Sequence, residues 1–217
     1  MTLQRGNTRR VAKTVAMAAM LAAVAGATVP TAAVALPDHR ATTAVTQSAA
    51  TSVPAASNSA YTYLQFKKNS SNPSNSKLSF VYVHIVNDIS HSTTVATWRA
   101  GSGQGSTNAC KRNQGWLPNG TYKIKTFYKH HNGGLHGVNG LAWLLNDTTC
   151  SNGTPRTELF IHSEMKPDGT QGSAEPYRWD GNSDYKSNGC IKLKPSDIRR
   201  LKDLRSSYPL PKKLYVS

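Results

Sequence analysis

The sequence predicts a mainly β domain with one or two short helices. β-Branched and aromatic runs recur from Tyr61 onward. The intervals between them are rich in Gly, Asn, Ser and Pro, and a single persuasive helical pattern follows Pro195. Tyr61–Phe66 roughly alternates. Leu78–Val86 is β-branched and aromatic, and a polar turn at Asn87-Asp88 leads into Thr93–Trp98. Thr121–Tyr128 alternates, with Lys123 and Lys125 on one face and Tyr122, Ile124 and Thr126 on the other. Glu158–His162 and Cys190–Leu193 read as shorter strands, and Leu214–Val216 as a closing one. In the helix, Ser196 is the expected N-cap and Asp197 suits the dipole. Ile198, Leu201 and Leu204 share one face, and Pro209 lies beyond its end.

Ahead of this domain the text changes twice. Residues 1–35 read as a signal peptide. Arg5, Arg9, Arg10 and Lys13 precede an uncharged run from Thr14 to Val29, and Ala33-Val34-Ala35 offers a cleavage site. The run is short for a membrane span, which needs about 20 residues, and nothing else in the chain resembles one. Residues 36–60 are Ala/Thr/Ser-rich without aromatics, which predicts a flexible tether to a folded domain at 61–217. The expected location is therefore outside the cell, secreted.

The chain has 217 residues and a formal net charge of +15, from 26 basic and 11 acidic side chains. A basic exported protein meets anionic polymers: cell-wall glycans, teichoic acids, lipid headgroups or extracellular DNA. The basic pairs Lys67-Lys68, Arg199-Arg200 and Lys212-Lys213 are scattered and fit no nucleic-acid module.

Three cysteines, Cys110, Cys150 and Cys190, leave one over in an oxidising compartment. Cys110 and Cys150 both sit in loop-like surroundings, and these two are expected to pair. Cys190 follows a glycine and opens a short apolar strand, in Ser187-Asn188-Gly189-Cys190-Ile191-Lys192-Leu193. A glycine before a nucleophile permits a tight turn with bare N–H groups at the reacting carbon. A distant histidine, here His162 in Phe160-Ile161-His162-Ser163, is placed to take the thiol proton.

Three separated blocks share one resemblance. Trp116-Leu117-Pro118-Asn119-Gly120-Thr121-Tyr122-Lys123-Ile124 resembles the TP-x-G-x-Y-x-I block of L,D-transpeptidase (YkuD-type) catalytic domains. Phe160–Ser163 resembles their IHG or HS block, and Ser187–Leu193 their S-H-G-C-I-R signature, with Asn188 where the family usually has histidine. Gly101-Ser102-Gly103 suits a Ser/Gly pair after the second strand. Arg156, Phe160 and His162 suit a secreted or injected branch, some of whose members hydrolyse rather than crosslink. The resemblance covers roughly residues 75–217. It implies a β-sandwich catalytic domain acting on peptidoglycan stem peptides through a Cys190 thioester, with loss of terminal D-Ala and no cofactor.

On that reading His162 is the base, Gly189 and Asn188 serve the oxyanion, and Ser163 or the carbonyl beside it orients the imidazole. Ser187, Tyr177, Arg178 and Tyr185 are candidate substrate contacts, the last three in a long insert that would form a lid. The same residues serve an L,D-carboxypeptidase or endopeptidase, and loss of the motif histidine also suits a non-catalytic wall-binding protein. No metal is expected. His130, His131 and His136 lie in a Gly/Asn-rich loop without a nearby carboxylate. Asp180–Asp184 lacks the glycine and the bidentate glutamate of a calcium loop. No residue pattern assigns an oligomeric state.

Overall fold

The structure, a computed structural model, describes residues 58–217; the expected leader and most of the expected tether lie outside them. The chain opens with β1 (Ser59–Lys67), which starts just ahead of Tyr61, and β2 (Ser76–Val86) pairs with it antiparallel. β2 turns into β3 (Ile89–Ser102) through Asn87 and Asp88, at φ 50° and 63°. Two such residues between paired strands make the hairpin turn whose twist matches its strands. Then come β4 (Gly120–Asn132), β5 (Asn139–Leu145), β6 (Thr148–Thr149), β7 (Pro155–Arg156), β8 (Phe160–His162) and β9 (Ile191–Lys192). α1 (Pro195–Asp203) and β10 (Lys213–Val216) close the chain.

The expected sandwich forms from two sheets that share their two longest strands. β3 pairs with β2 over most of its length and with β9 at Gly101 and Ser102. β4 pairs first with β10 and then with β5. The ladder therefore closes in the order β1-β10-β4-β5-β8-β9-β3-β2, and β6 and β7 form a separate ribbon. Two contacts in the ring are parallel, β1 with β10 and β8 with β9. Parallel neighbours need a crossover, and the long segment from Ser163 to Cys190 supplies it between β8 and β9.

Leu64, Phe66, Leu78, Trp143, Ile161 and Ile191 fill the interior. α1 docks Ile198 and Leu201 on it, both fully buried, with Leu204 partly so. Each such side chain contributes about 1.5–3 kcal/mol of transfer free energy.

Three expectations need correction. The α1 N-cap is Lys194, because Pro195 occupies the first helical position and places Ser196 inside the first turn. In β4 the alternation breaks at a register shift between Ile124 and Thr126: Thr126 is exposed, and Phe127 packs on the core instead. The Gly-rich interval before Glu158 holds β5, buried on nearly every residue. A strand covered on both faces shows no alternation, so its Leu-Ala-Trp-Leu-Leu run carries no period-2 signal.

Cys110 and Cys150 form a disulfide with Cα atoms 5.4 Å apart, as expected, leaving Cys190 free. It ties the segment after β3 to the β6–β7 ribbon. Replacing both cysteines with serine should cost about 2–4 kcal/mol in urea unfolding, the effect of releasing a closed loop of this size.

Candidate active site

The site is built on the parallel pair β8–β9. Ile161 faces Ile191 and His162 faces Lys192. Side chains alternate across a strand, so Ile161, Ile191 and Leu193 enter the core, all fully buried. Phe160, His162, Cys190 and Lys192 occupy the opposite face. Cys190 and His162 thus lie diagonally across two adjacent strands, two residues apart in register.

The loop before Cys190 is held from within. Ser187 is buried. Its hydroxyl donates to Cys190 O at 2.6 Å and accepts from the N–H groups of Gly103 and Gly189, both at 3.2 Å. Ser187 therefore shapes the turn, and it has little left to offer a substrate. Ser102, from the Gly-Ser-Gly block, donates to Gly189 O at 3.2 Å and accepts from Leu117 N at 2.9 Å. The Asn188 amide oxygen accepts from Gln104 Nε2 at 3.2 Å.

Arg156, at the end of β7, locks this loop from behind. It is buried at 4% exposure, and its guanidinium donates to the carbonyls of Ala109, Gly115 (3.1 Å), Trp116 (3.3 Å) and Asn188 (3.5 Å). Gly189 lies directly against Arg156 at φ 118°, and a Cβ there would collide with Nη2. Only glycine accepts both the conformation and the contact.

The hydrogen-bond pattern fixes proton positions. His162 Nδ1 lies 3.0 Å from Ser163 O. A carbonyl can only accept, so Nδ1 carries the proton and Nε2 presents a lone pair, the tautomer of a general base. The Ser163 carbonyl does the orienting, while the Ser163 hydroxyl is buried without a partner.

The thiol of Cys190 donates to Glu158 O at 3.5 Å. Glu158 adopts φ 54°, a left-handed conformation that costs a non-glycine residue about 1–3 kcal/mol. Its N–H is held by Asp147 Oδ1 at 3.3 Å.

The Cys190 thiol and the His162 imidazole are both neutral at pH 7. Burial lowers the His162 imidazole to about 3, helped by the charge of Lys192 and opposed by the Ser163 hydrogen bond. Burial raises the Cys190 thiol to about 11, opposed by the Phe160 backbone and the charges of Lys192 and Arg156. Lys192 is itself buried and ion-paired to Glu164, whose Oε2 is buried without a partner. The sequence reading did not include this pair. Its signal was available: Lys192 follows Cys190 by two and so shares its face.

The candidate side chains of the insert have partners of their own. Arg178 is committed to Glu175 Oε1 (2.9 Å), Asp180 and Ser173 O (3.1 Å). Tyr177 packs on Gly172. Tyr185 is buried between Trp179, Gly101 and the Arg99 guanidinium. The Arg178 and Tyr177 contacts fold the insert on itself, and Tyr185 ties it to β3. His131 Nδ1 donates to Val138 O (2.7 Å) and the ring packs on Phe160, and among the described residues no group of His, Cys, Asp or Glu is arranged to hold a metal.

Two outcomes follow from this geometry. Gly189→Ala should lose about 1–3 kcal/mol of stability and most of the Cys190 reactivity, measured by urea unfolding and thiol labelling. For His162, the depressed folded value means that its contribution is present above the unfolded imidazole's 6.5 and is lost as pH falls toward about 3. Stability should drop by about 1.4 kcal/mol per pH unit over that window, and His162→Asn should flatten the slope.

The family model described as the YkuD, L,D-transpeptidase catalytic domain matches residues 74–205. The solved structure of Bd1075 from Bdellovibrio bacteriovorus is 14% identical, with a TM-score of 0.45 over 72% of this chain and 47% of that one. The present chain thus spans about half the length of that protein. No curated protein matches. The described domain, with its two sheets closed around the β8–β9 pair, belongs to the YkuD family of L,D-transpeptidase catalytic domains.

Proposed function

We propose that this chain is an exported L,D-transpeptidase that handles peptidoglycan stem peptides as a thioester on Cys190. Membership in a family of peptidoglycan-modifying enzymes supports the substrate class. The observation that carries the chemistry is the shared face of Cys190 and His162, with Nε2 of the imidazole free to accept a proton.

In the proposed reaction the Cys190 sulfur attacks the carbonyl of the diamino acid's L-centre while its proton moves to His162 Nε2. The oxyanion forms beside the N–H of Cys190 and the Asn188 amide. The Gly189 N–H is already bonded to Ser187, which removes it from the expected set of oxyanion donors. Collapse breaks the bond to D-Ala, and His162 returns the proton to the leaving amine. An acceptor amine then attacks the thioester and loses its proton to His162. The Cys190 thiolate leaves and takes that proton back from His162. Among the described residues no helix is long and apolar enough to cross a membrane.

Neutral resting partners make the proton transfer concerted with attack, in contrast to a preformed thiolate–imidazolium pair. Labelling of Cys190 by iodoacetamide should therefore be slow at pH 7 and rise about tenfold per pH unit toward the thiol's value of about 11. A plateau at neutral pH would contradict this resting state.

The direct test is intact-mass spectrometry with a tetrapeptide stem ending in D-Ala, with and without an amine acceptor. The expected result is D-Ala release, an acyl adduct on Cys190, and its transfer to the acceptor. Release of free tripeptide alone would make the enzyme a carboxypeptidase. Neither adduct nor turnover from an accessible thiol would reject the substrate assignment. Cys190→Ala should abolish adduct formation.

A further inference from the structure

On the outer face of the first sheet, three cations stand in a row. Lys67 pairs in register with Lys77, and Lys77 with Arg99, across β1, β2 and β3. Like charges directly opposite one another on a sheet repel. Among the described residues none of the three has a carboxylate within 4 Å to offset this. Adjacent strands are about 4.8 Å apart, so the row presents closely spaced positive charge to solvent.

The Arg99 end opens on a cleft of about 450 Å³, lined by Asn72, Ser74, Asn182 and Lys186 among others, with no carboxylate in its walls. The nearby Asp184 carboxylate is turned inward onto the N–H groups of Asp180 (2.6 Å) and Gly181 (2.8 Å). Arg99 is fixed in place. Its Nε donates to Ser74 O at 2.9 Å, Nη1 to Asn182 Oδ1 at 2.9 Å, and the guanidinium lies 4.1 Å from the Tyr185 ring centroid. A guanidinium has five N–H donors, so this anchoring leaves others free for a ligand.

We propose that this cleft and the row of cations leading into it bind a phosphodiester-linked polyol polymer, with one phosphate on Arg99 and Lys186 and the next along Lys77 and Lys67. The walls choose among polyanions. Amide and hydroxyl groups suit polyol hydroxyls. Tyr185, the aromatic ring at the cleft, lies buried beneath Arg99, so no face is open for base stacking. The exposed large apolar residues Val86, Ile89 and Leu210 are not in its walls, which removes the anchor a lipid surface would use. Lys186 directly precedes Ser187, so a polymer held here would be bound beside the loop that carries Cys190.

The test uses the full chain carrying Cys190→Ala, so that its outcome is independent of the transpeptidase reading. The probe is synthetic poly(glycerol phosphate), with affinity measured across a salt series. Lys77→Gln with Lys186→Gln should weaken binding about tenfold at low salt and make the log–log salt slope shallower by about 1.4, for two lost phosphate contacts. Lys67→Gln with Lys77→Gln, wholly on the exposed strand face, should act likewise. Lys123→Gln with Lys213→Gln removes the same charge from another directly opposed pair outside the cleft and should change affinity less than about twofold. An equal loss from that control pair would show diffuse charge and overturn the proposal. Tighter binding of a charge-matched oligodeoxynucleotide or of phosphatidylglycerol vesicles through the same lysines would also overturn it.

Discussion

The site depends on a buried guanidinium that holds carbonyls and no carboxylate. Arg156 reaches from the short β6–β7 ribbon into two loops at once, the segment from Ala109 to Trp116 and the turn at Asn188. A buried cation without a counter-charge is costly unless its donors are met. Here carbonyls meet them, and each would otherwise be an unpaired acceptor in a crowded turn. Lysine could not substitute, because a point ammonium lacks the planar fork that serves diverging acceptors. The disulfide acts on the same segment from Cys150, just ahead of the ribbon's second strand, so a covalent and a polar clamp converge on one loop. Glycine is then the only residue type that fits at 189, between that clamp and Cys190.

The parallel contact between β8 and β9 does the rest. It sets His162 and Cys190 on one face, and it requires the chain to leave the sheet and return between them. The crossover from Ser163 to Cys190 is therefore a topological necessity before it is a lid. Its internal ties, Arg178 to Glu175 and Asp180, and Gln171 to Trp179 N, keep it folded. One link to the candidate site is the Lys192–Glu164 pair beside His162. Lys192 has two effects: it disfavours protonation of His162 and favours ionisation of Cys190.

What could be read from the sequence followed local pattern. The β2–β3 turn, the apolar face of α1 and the oddness of Cys190 each depend on a few adjacent residues, and each was legible. β5 was not, because a strand buried on both faces carries no period of its own. The bulge in β4 moved Thr126 and Phe127 off the expected faces for a similar reason: one inserted residue shifts every side chain after it. At the site, residue types were legible and their assignments less so. Ser187 and Tyr185 looked available for a substrate, yet one hydroxyl closes its own turn and one ring fills the space over Gly101. The left-handed Glu158 that presents its carbonyl to the thiol had no sequence signal, because nothing in glutamate favours positive φ.

A free cysteine in an exported protein is exposed to oxidation and disulfide exchange, and both act on the thiolate. At Cys190 burial and the Glu158 carbonyl favour the thiol instead. In the exported setting proposed above, this protects the nucleophile while the site is empty. In the proposed reaction the cost is a weak resting nucleophile, and the lone pair on His162 Nε2 would answer it only once a carbonyl carbon is in place to receive the sulfur as the proton departs. On that proposal the pair links reactivity to substrate occupancy. A preformed thiolate would react with whatever electrophile arrived first, whereas a neutral Cys190 thiol would wait for its substrate.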